Sequence, residues 1–267
     1  MALTPLCGGE LKSSLIVMNS KPAVSVVIPA YNEATYIDRL LKALARQNFK
    51  DFEVIVSDAE SKDGTKEIVE SFKNNIDIKF VEAPPKGPAF GRNQGAKQAR
   101  GEWLLFLDAD DDIDDPDFIK TLLGETKKRG WNTSSAKLRL KRDEPVLNRL
   151  GFGFFYRYQK LLAHTKHPVA QGYCIFTKKG IFDGCSGFNE KIHYGEDNDY
   201  VSRAGGKHGF GFVDSTYYYV DMRRNKQEGL LFSLKNTAHE AYRLTHLNNL
   251  EGQPFKYEFG KHKKRGD

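Results

Sequence analysis

Residues 103–111 read WLLFLDADD, five apolar residues that run without a break into a cluster of carboxylates. A short, unbroken apolar run of this kind is the pattern of a strand buried on both faces of a parallel sheet. Two earlier stretches have the same form. Residues 24–28 (VSVVI) end in Pro29-Ala30-Tyr31-Asn32-Glu33, and residues 53–56 (EVIV) end in Ser57-Asp58. Ligands of an open parallel sheet bind beyond the carboxyl ends of its strands, which is where all three runs place their polar groups. Seven aspartates lie between positions 108 and 117, a concentration that suits a metal ion and a nucleotide. The pattern predicts an enzyme.

Between these runs the periodicity is helical. Ile37, Leu40, Leu41 and Leu44 fall at i, i+3, i+4 and i+7, with Asn32 placed to cap their helix. The turn Ser61-Lys62-Asp63-Gly64-Thr65 leads into a second helix with Ile68, Val69 and Phe72 inward. A short strand at 78–81, a Pro-rich loop at 84–88 and a helix over 89–100 precede the Asp-bearing strand. Pro116, behind Asp114 and Asp115, predicts a helix start, with these aspartates and Asp117 as caps and the helix running to about 129. Alternation of this kind gives an α/β fold with a doubly wound, mostly parallel sheet flanked by helices. Beyond Trp131 the pattern changes: strands near 135–140, 173–177 and 210–219, an aromatic-rich helix over 146–163, and a helix over 231–248 before a basic tail. No internal repeat and no Gly/Ser linker divides the chain. The expected organisation is a disordered leader over 1–20 (or an upstream extension, with Met18 as initiator), one domain over 21–230, and a C-terminal helix and tail over 231–267.

Composition excludes more than it assigns. At 39% hydrophobic and 28% charged residues, the chain is an ordinary globular one. Its net charge of +6 suits phosphorylated substrates or an anionic membrane surface, and without a nucleic-acid-binding motif it predicts no nucleic-acid partner. Cys7, Cys174 and Cys185 have no metal-ligand spacing and are expected as free thiols in a reducing, cytoplasmic setting. No apolar run approaches the roughly 20 residues that span a bilayer.

Asp108 and Asp110 flank Ala109 directly after a strand, so alternation can turn both carboxylates to one side. With substrate phosphate oxygens they would make a hard oxygen site for Mg2+ or Mn2+; the alternative is that they only cap the next helix.

Four ordered blocks extend this reading: VSVVIPAYNEATYIDRLLKAL from residue 24, EVIVSDAESKDGT from 53, GPAFGRNQGAKQARGEWLLFLDADD from 87 and GFNEKIHYGEDNDYVSRA from 187. Together they resemble a family 2 glycosyltransferase of the GT-A fold. The resemblance implies an inverting, metal-dependent transfer of a sugar from a nucleoside diphosphate donor, UDP favoured, to a hydroxyl on a glycan or lipid-linked acceptor. It implies a nucleotide half over 21–130 and an elaborated acceptor half over 131–230.

The resemblance also implies roles. Pro29, Ala30, Tyr31 and Glu33 would line the base and ribose pocket, and Asp58 would accept a hydrogen bond from the base. Arg92 would lie near the nucleotide, where a guanidinium can pair with phosphate; for Arg92 and Asp58 a structural ion pair is the alternative. Asp108 would contact ribose and metal, and Asp110 would be the main metal ligand. Asp197 would be the catalytic base, kept ionised by the dipole of a helix beginning there, with Glu196 and more weakly Asp199 as rivals. Arg223 and Arg224 would approach the diphosphate or belong to a solvated charge run, and His193 would touch the acceptor or be incidental. The rival functions are a sugar-nucleotide nucleotidyltransferase, disfavoured because PAYNE is not a Gly-rich phosphate loop, and a silent glycan- or nucleotide-binding module.

The helix over 147–162 has two readings of its own. Leu147, Leu150, Phe154, Tyr158 and Leu161 share one face, with Arg149, Arg157 and Lys160 away from it and Phe152 and Tyr156 on the polar side. It is either an interfacial membrane contact, helped by the tail Lys261-His262-Lys263-Lys264-Arg265, or a helix packed on its own sheet.

Overall fold

The apolar runs become strands buried on both faces, and the two polar side chains within them, Ser25 and Glu53, bond to each other. The computed structural model describes residues 21–141, 144–220, 238–246, 250–251 and 254. In the first half, β1 (Val24–Ala30), β2 (Phe52–Asp58), β3 (Ile78–Glu82) and β4 (Trp103–Leu107) alternate with α1 (Ala34–Ala45), α2 (Thr65–Ser71) and α3 (Pro88–Gln98). Every residue of β1, β2 and β4 is buried, whereas β3, at the sheet edge, buries only Ile78. The second half adds α4 (Phe118–Lys128), β5 (Thr133–Arg139), α5 (Val146–Leu162), β6 (Cys174–Lys178), α6 (Lys179–Gly184), α7 (Glu196–His208) and β7 (Phe210–Tyr219).

The sheet order is β3-β2-β1-β4-β6-β5-β7. Strand β6 runs against both of its neighbours and the other pairings are parallel. The carboxyl ends of β1, β2, β4, β5 and β7 therefore share one edge, with Ala30 opposite Asp58 in the register.

Packing ties the two halves together. Trp103 stacks on Phe176 across β4 and β6 at 4.9 Å. Phe106 of β4 meets Phe182 of α6 at 5.3 Å and Phe188 at 5.0 Å, and Phe188 meets Tyr200 of α7 at 4.7 Å. One buried carboxylate is fully partnered: Glu53 accepts from Ser25 Oγ at 2.6 Å, the Arg100 amide at 2.7 Å and Arg100 Nε at 2.8 Å, which joins β1, β2 and the turn before β4.

Some expectations are corrected. Asn32 does not cap α1: its φ of 54° is left-handed, outside the extended range of a cap, and its side chain instead accepts the Lys62 amide. The helix start is satisfied from the next loop, where Asp63 accepts the Ala34 amide at 2.9 Å and Thr65 Oγ1 the Glu33 amide at 3.0 Å. Helix α4 begins at Phe118, two residues after Pro116, because Asp115 Oδ1 takes the Asp117 amide in a turn. Helix α6 was not anticipated; at six residues it is too short to show a period. Of the expected helix over 231–248, residues 238–245 are helical and most of the remainder lies outside the described residues, as do the leader and the basic tail.

Helix α3 lies so close to β1 that a Cβ added to Gly95 would sit 2.4 Å from Val27 Cγ1, whereas at Gly124 of α4 it would meet nothing within 4 Å. Gly95→Ala should lose about 1–3 kcal/mol to overpacking, and Gly124→Ala should gain up to about 1 kcal/mol of helix propensity. Urea unfolding checks both; equal stability of the two variants would contradict this packing.

Candidate active site

Four polar segments converge at the carboxyl edge of the sheet. Pro29 and Ala30 are buried at the end of β1, with Tyr31 and Glu33 half-buried beyond it. Two contacts shape this corner: the Ala59 amide donates to Ala30 O at 2.8 Å, and Ser61 Oγ accepts the Asn32 amide at 2.7 Å. Asp58, 2% exposed, accepts from the Ser61 amide at 2.8 Å and from Ser61 Oγ at 2.6 Å. Burial raises its carboxyl above the usual range, although the Ser61 bonds pull it down. Asp58 thus braces its own loop, with lone pairs left for a further donor.

At the end of β4 the aspartates separate by environment. Asp108 and Asp110 are half-buried, while Asp111 is 1% exposed. Asp111 Oδ2 accepts the Asp108 amide at 2.8 Å and so fixes the backbone from which Asp108 projects. Burial, followed by the charges of Asp108 and Asp110, pushes the Asp111 carboxyl well above its usual range. The segment is also stitched outward: Arg39 donates to Asp110 O at 2.7 Å, Lys141 pairs with Asp112, and Asp112 bridges to Tyr219 at the end of β7.

Arg92 is the centre of the site. It is 3% exposed on α3, donates Nη2 to Asp108 Oδ1 at 2.8 Å and Nη1 to Glu196 Oε1 at 2.7 Å, and lies over the Phe188 ring at 5.4 Å. Each terminal nitrogen gives one of its two N–H groups to a carboxylate, so Arg92 is in a structural ion pair and keeps further donors. Burial alone would lower its pKa, but Asp108, Glu196 and Asp197 outweigh it and keep the cation firmly charged.

Glu196 and Asp197 open α7 behind Gly195, whose φ of 78° is the left-handed value that favours glycine. Asp197 Oδ2 accepts the Gly172 amide at 2.6 Å and Oδ1 the Asn198 amide at 2.7 Å. Asp197 is half-buried. Burial raises the Asp197 carboxyl above its usual range, and Arg92 and the two amides, one of them in the first turn of α7, bring it only part of the way back. Glu196 is raised too, by burial and then by the charge of Asp197. Asp199 is spent elsewhere, held by Arg203 Nη2 at 2.6 Å, while Arg203 also donates to Cys185 O and Gly187 O. His193 is exposed in the same loop, and Arg223 and Arg224 lie outside the described residues.

Three positions escaped sequence reasoning. Asp111 is one aspartate in a run, with no local sign that it alone turns inward. Gly172 is needed because an added Cβ would sit 2.6 Å from Arg92 Nη2, a contact between residues 80 apart in sequence. Asn93 pins the loop before α7 by exchanging hydrogen bonds with the Phe188 backbone, both at 2.9 Å; the Gly91-Arg92-Asn93 triplet was its only signal.

A divalent cation fits the donor set at β4. Asp108 spends Oδ1 on Arg92 and has its other oxygen for a cation, and Asp110 is close in sequence on the same turn. Among the described residues no group of three or more His, Cys, Asp or Glu side chains could hold a metal. A cation bound here would therefore draw the rest of its shell from phosphate oxygens and water, as Mg2+ commonly does.

Residues 25–185 match the sequence model of glycosyl transferase family 2. The poly(ribitol-phosphate) beta-N-acetylglucosaminyltransferase TarS of Staphylococcus aureus is 45% identical over 93 residues, 33% of this chain and 16% of that protein. The GalNAc(5)-diNAcBac-PP-undecaprenol beta-1,3-glucosyltransferase of Campylobacter jejuni is 38% identical over 95 residues, 34% of this chain and 31% of that protein. These matches span a third or less of the relatives' own length. A crystal structure of S. aureus TarS in complex with UDP superposes with a TM-score of 0.60 at 26% identity, covering 74% of this chain and 60% of that one. A mannosyltransferase from Pyrobaculum calidifontis in complex with GDP-Man and Mn2+ gives 0.63 at 20% identity, covering 76% and 57%. The sheet is that of the GT-A fold.

Arg92→Met would leave Asp108 and Glu196 facing each other without a counter-charge. It should cost about 3–5 kcal/mol of stability, the range for breaking a buried ion pair from one side. Chemical unfolding tests this, and a loss below about 1 kcal/mol, the value of an exposed pair, would contradict the buried network.

Proposed function

The chain belongs to glycosyl transferase family 2, and we propose that it moves a sugar from a nucleoside diphosphate donor to an acceptor hydroxyl, with inversion at the anomeric carbon. The observation that carries this reading is the pair of carboxylate groups joined by Arg92: Asp108 with Asp110 at the end of β4, and Glu196 with Asp197 at the start of α7. One set suits a cation and a diphosphate, the other a proton.

In this reading residues 21–130 form the nucleotide half and 131–230 the acceptor half. The donor's base and ribose lie against Pro29, Ala30, Tyr31 and Glu33, with Asp58 accepting from the base and Asp108 contacting the ribose. Asp108 and Asp110 hold Mg2+ or Mn2+. When bound, the cation neutralises charge on the departing diphosphate. UDP is the favoured nucleotide because TarS has been solved with UDP and with UDP-GlcNAc at 26% identity. The acceptor is a hydroxyl on a polymer or a lipid-linked glycan, the two kinds named for the S. aureus and C. jejuni relatives. Donors of this type, with Cys174 and Cys185 as free thiols, suit a reducing, cytoplasmic setting.

The chain's own residues then supply the proton chemistry. Asp197 takes the proton of the acceptor hydroxyl as its oxygen attacks the anomeric carbon on the face opposite the leaving diphosphate. The Gly172 and Asn198 amides fix the carboxylate's orientation and leave its remaining lone pairs for the acceptor. Burial makes it a stronger base than an ordinary aspartate, so the acid limb of activity should lie above the usual aspartate range. Glu196 acts by holding Arg92, which positions Asp108 and orders the first turn of α7.

Asp197→Asn keeps size and shape but cannot accept the proton. Transfer should fall by roughly 100-fold or more while nucleotide binding survives. Nucleoside diphosphate should be released, and NMR should show an inverted anomeric centre in the product. Retention would contradict direct displacement, pyrophosphate release would indicate nucleotidyl transfer, and absence of any turnover by the parent would favour a silent binding module.

A further inference from the structure

Helix α5 turns its apolar face to solvent. Helices on globular proteins normally bury such a face, yet Leu147 is 80% exposed, Leu150 67%, Phe154 76% and Leu161 72%, with Val146 at 68%. The protein-facing side is the more polar one. Its buried residues are Tyr156 and Gln159. The Tyr156 ring meets Phe212 edge-on at 5.2 Å and its hydroxyl donates to Asp214 at 2.6 Å. Lys160 donates to Asp214 and Tyr158 to Glu240, each at 2.6 Å, so Tyr158 departs from the exposed stripe that the helical spacing assigned it to. These anchors hold α5 with its large apolar side chains aligned outward, a patch of the kind that marks an interaction surface.

The charge around the stripe selects the partner. Residues 145–166 contain Arg149, Arg157, Lys160 and Lys166 and no Asp or Glu. Arg149 and Arg157 are exposed on the same helix, Arg157 on the side next to Leu150 and Phe154. Two acids that meet the helix are already taken, Asp214 by Lys160 and Tyr156, and Glu240 by Tyr158 and Arg243, and Glu144 before its first turn is buried. An apolar ridge flanked by cations matches the acyl boundary and headgroup phosphates of an anionic bilayer. A second copy of the same face would instead bring Arg149 and Arg157 against their equivalents, with no acid on the helix to meet them.

The stripe also begins at the edge of the sheet that carries the crevice. Strand β5 runs parallel to β4 through the intervening β6, so its carboxyl end lies on that edge. Lys141, two residues beyond β5, pairs with Asp112 after β4, and α5 starts at Val146. We propose that the outward face of α5 is a docking surface for an anionic phospholipid bilayer, which holds the crevice edge of the sheet at the lipid surface. The inference stands apart from the transfer reaction: it concerns where the protein works, whichever nucleotide it binds.

The test is sedimentation of the full chain with phosphatidylcholine vesicles, with and without phosphatidylglycerol. The protein should bind the anionic vesicles in low salt, bind the zwitterionic ones much less, and be released as salt screens the arginines. Phe154→Glu should weaken binding by about tenfold or more, the factor that loss of one buried aromatic supports, with an unchanged melting temperature. Arg149→Glu combined with Arg157→Glu should weaken binding by about 25-fold or more, about fivefold for each cation lost, and leaves the apolar ridge intact. Failure of the parent to bind anionic vesicles would overturn the proposal. Binding that survives Phe154→Glu but is lost on removal of residues 261–265 would assign the contact to the basic tail and overturn it too. A dimer in sedimentation velocity that Phe154→Glu dissociates would give the face to a second copy, and a large fall in melting temperature would give Phe154 to the core.

Discussion

A guanidinium withdrawn from water needs carboxylates around it, and at Arg92 this requirement organises the crevice. The cation comes from α3, one carboxylate from the end of β4 and another from the first turn of α7, 104 residues away in sequence. Loss of Arg92 leaves the buried carboxylates without a counter-charge, so the three elements keep one spacing. Phe188 closes one face of the guanidinium, and Asn93 and Arg203 hold the loop that carries Phe188. The distance between the two carboxylate groups is therefore a property of the folded core and not of mobile side chains.

The rest of the fold serves that spacing. The parallel register of β1, β2 and β4 brings Ala30, Asp58 and Asp108 to one edge, and the close approach of α3 to β1 sets Arg92 over that edge. Below it, Asp111 fixes the backbone of Asp108, and beside it the Gly172 amide fixes Asp197. A preorganised site of this kind has its donors and acceptors oriented before any ligand arrives, so little reorganisation accompanies the reaction.

Much of this was legible in the sequence, and the exceptions share a cause. Strands buried on both faces are mostly apolar runs, so β4 was read to the residue and β1 and β2 nearly so. The positions of Asp108 and Asp110 followed from where the β4 run ends, and those of Glu196 and Asp197 from the family resemblance. What sequence could not give was direction across space. A helical wheel found the apolar stripe of α5 but not which way it faces, because the anchors, Phe212, Asp214 and Glu240, lie more than fifty residues on. Arg92 was legible as a cation near a site, and its pairing depended on a glutamate a hundred residues away. Asn32 failed as a cap for the same reason: its competitors Asp63 and Thr65 arrive from another loop.

The central claim is that the carboxyl edge of this sheet binds a nucleoside diphosphate through Asp108, Asp110 and a divalent cation. Thermal denaturation with UDP, GDP or dTDP, in Mn2+ and in EDTA, tests it most directly. A specific ligand at about 100 times its dissociation constant stabilises the folded state by about 2.7 kcal/mol, which is several degrees for most domains. The account predicts that one nucleoside diphosphate, UDP first, raises the melting temperature in Mn2+ and that EDTA abolishes the rise. A rise of the same size in EDTA, or none with any nucleotide, would contradict it.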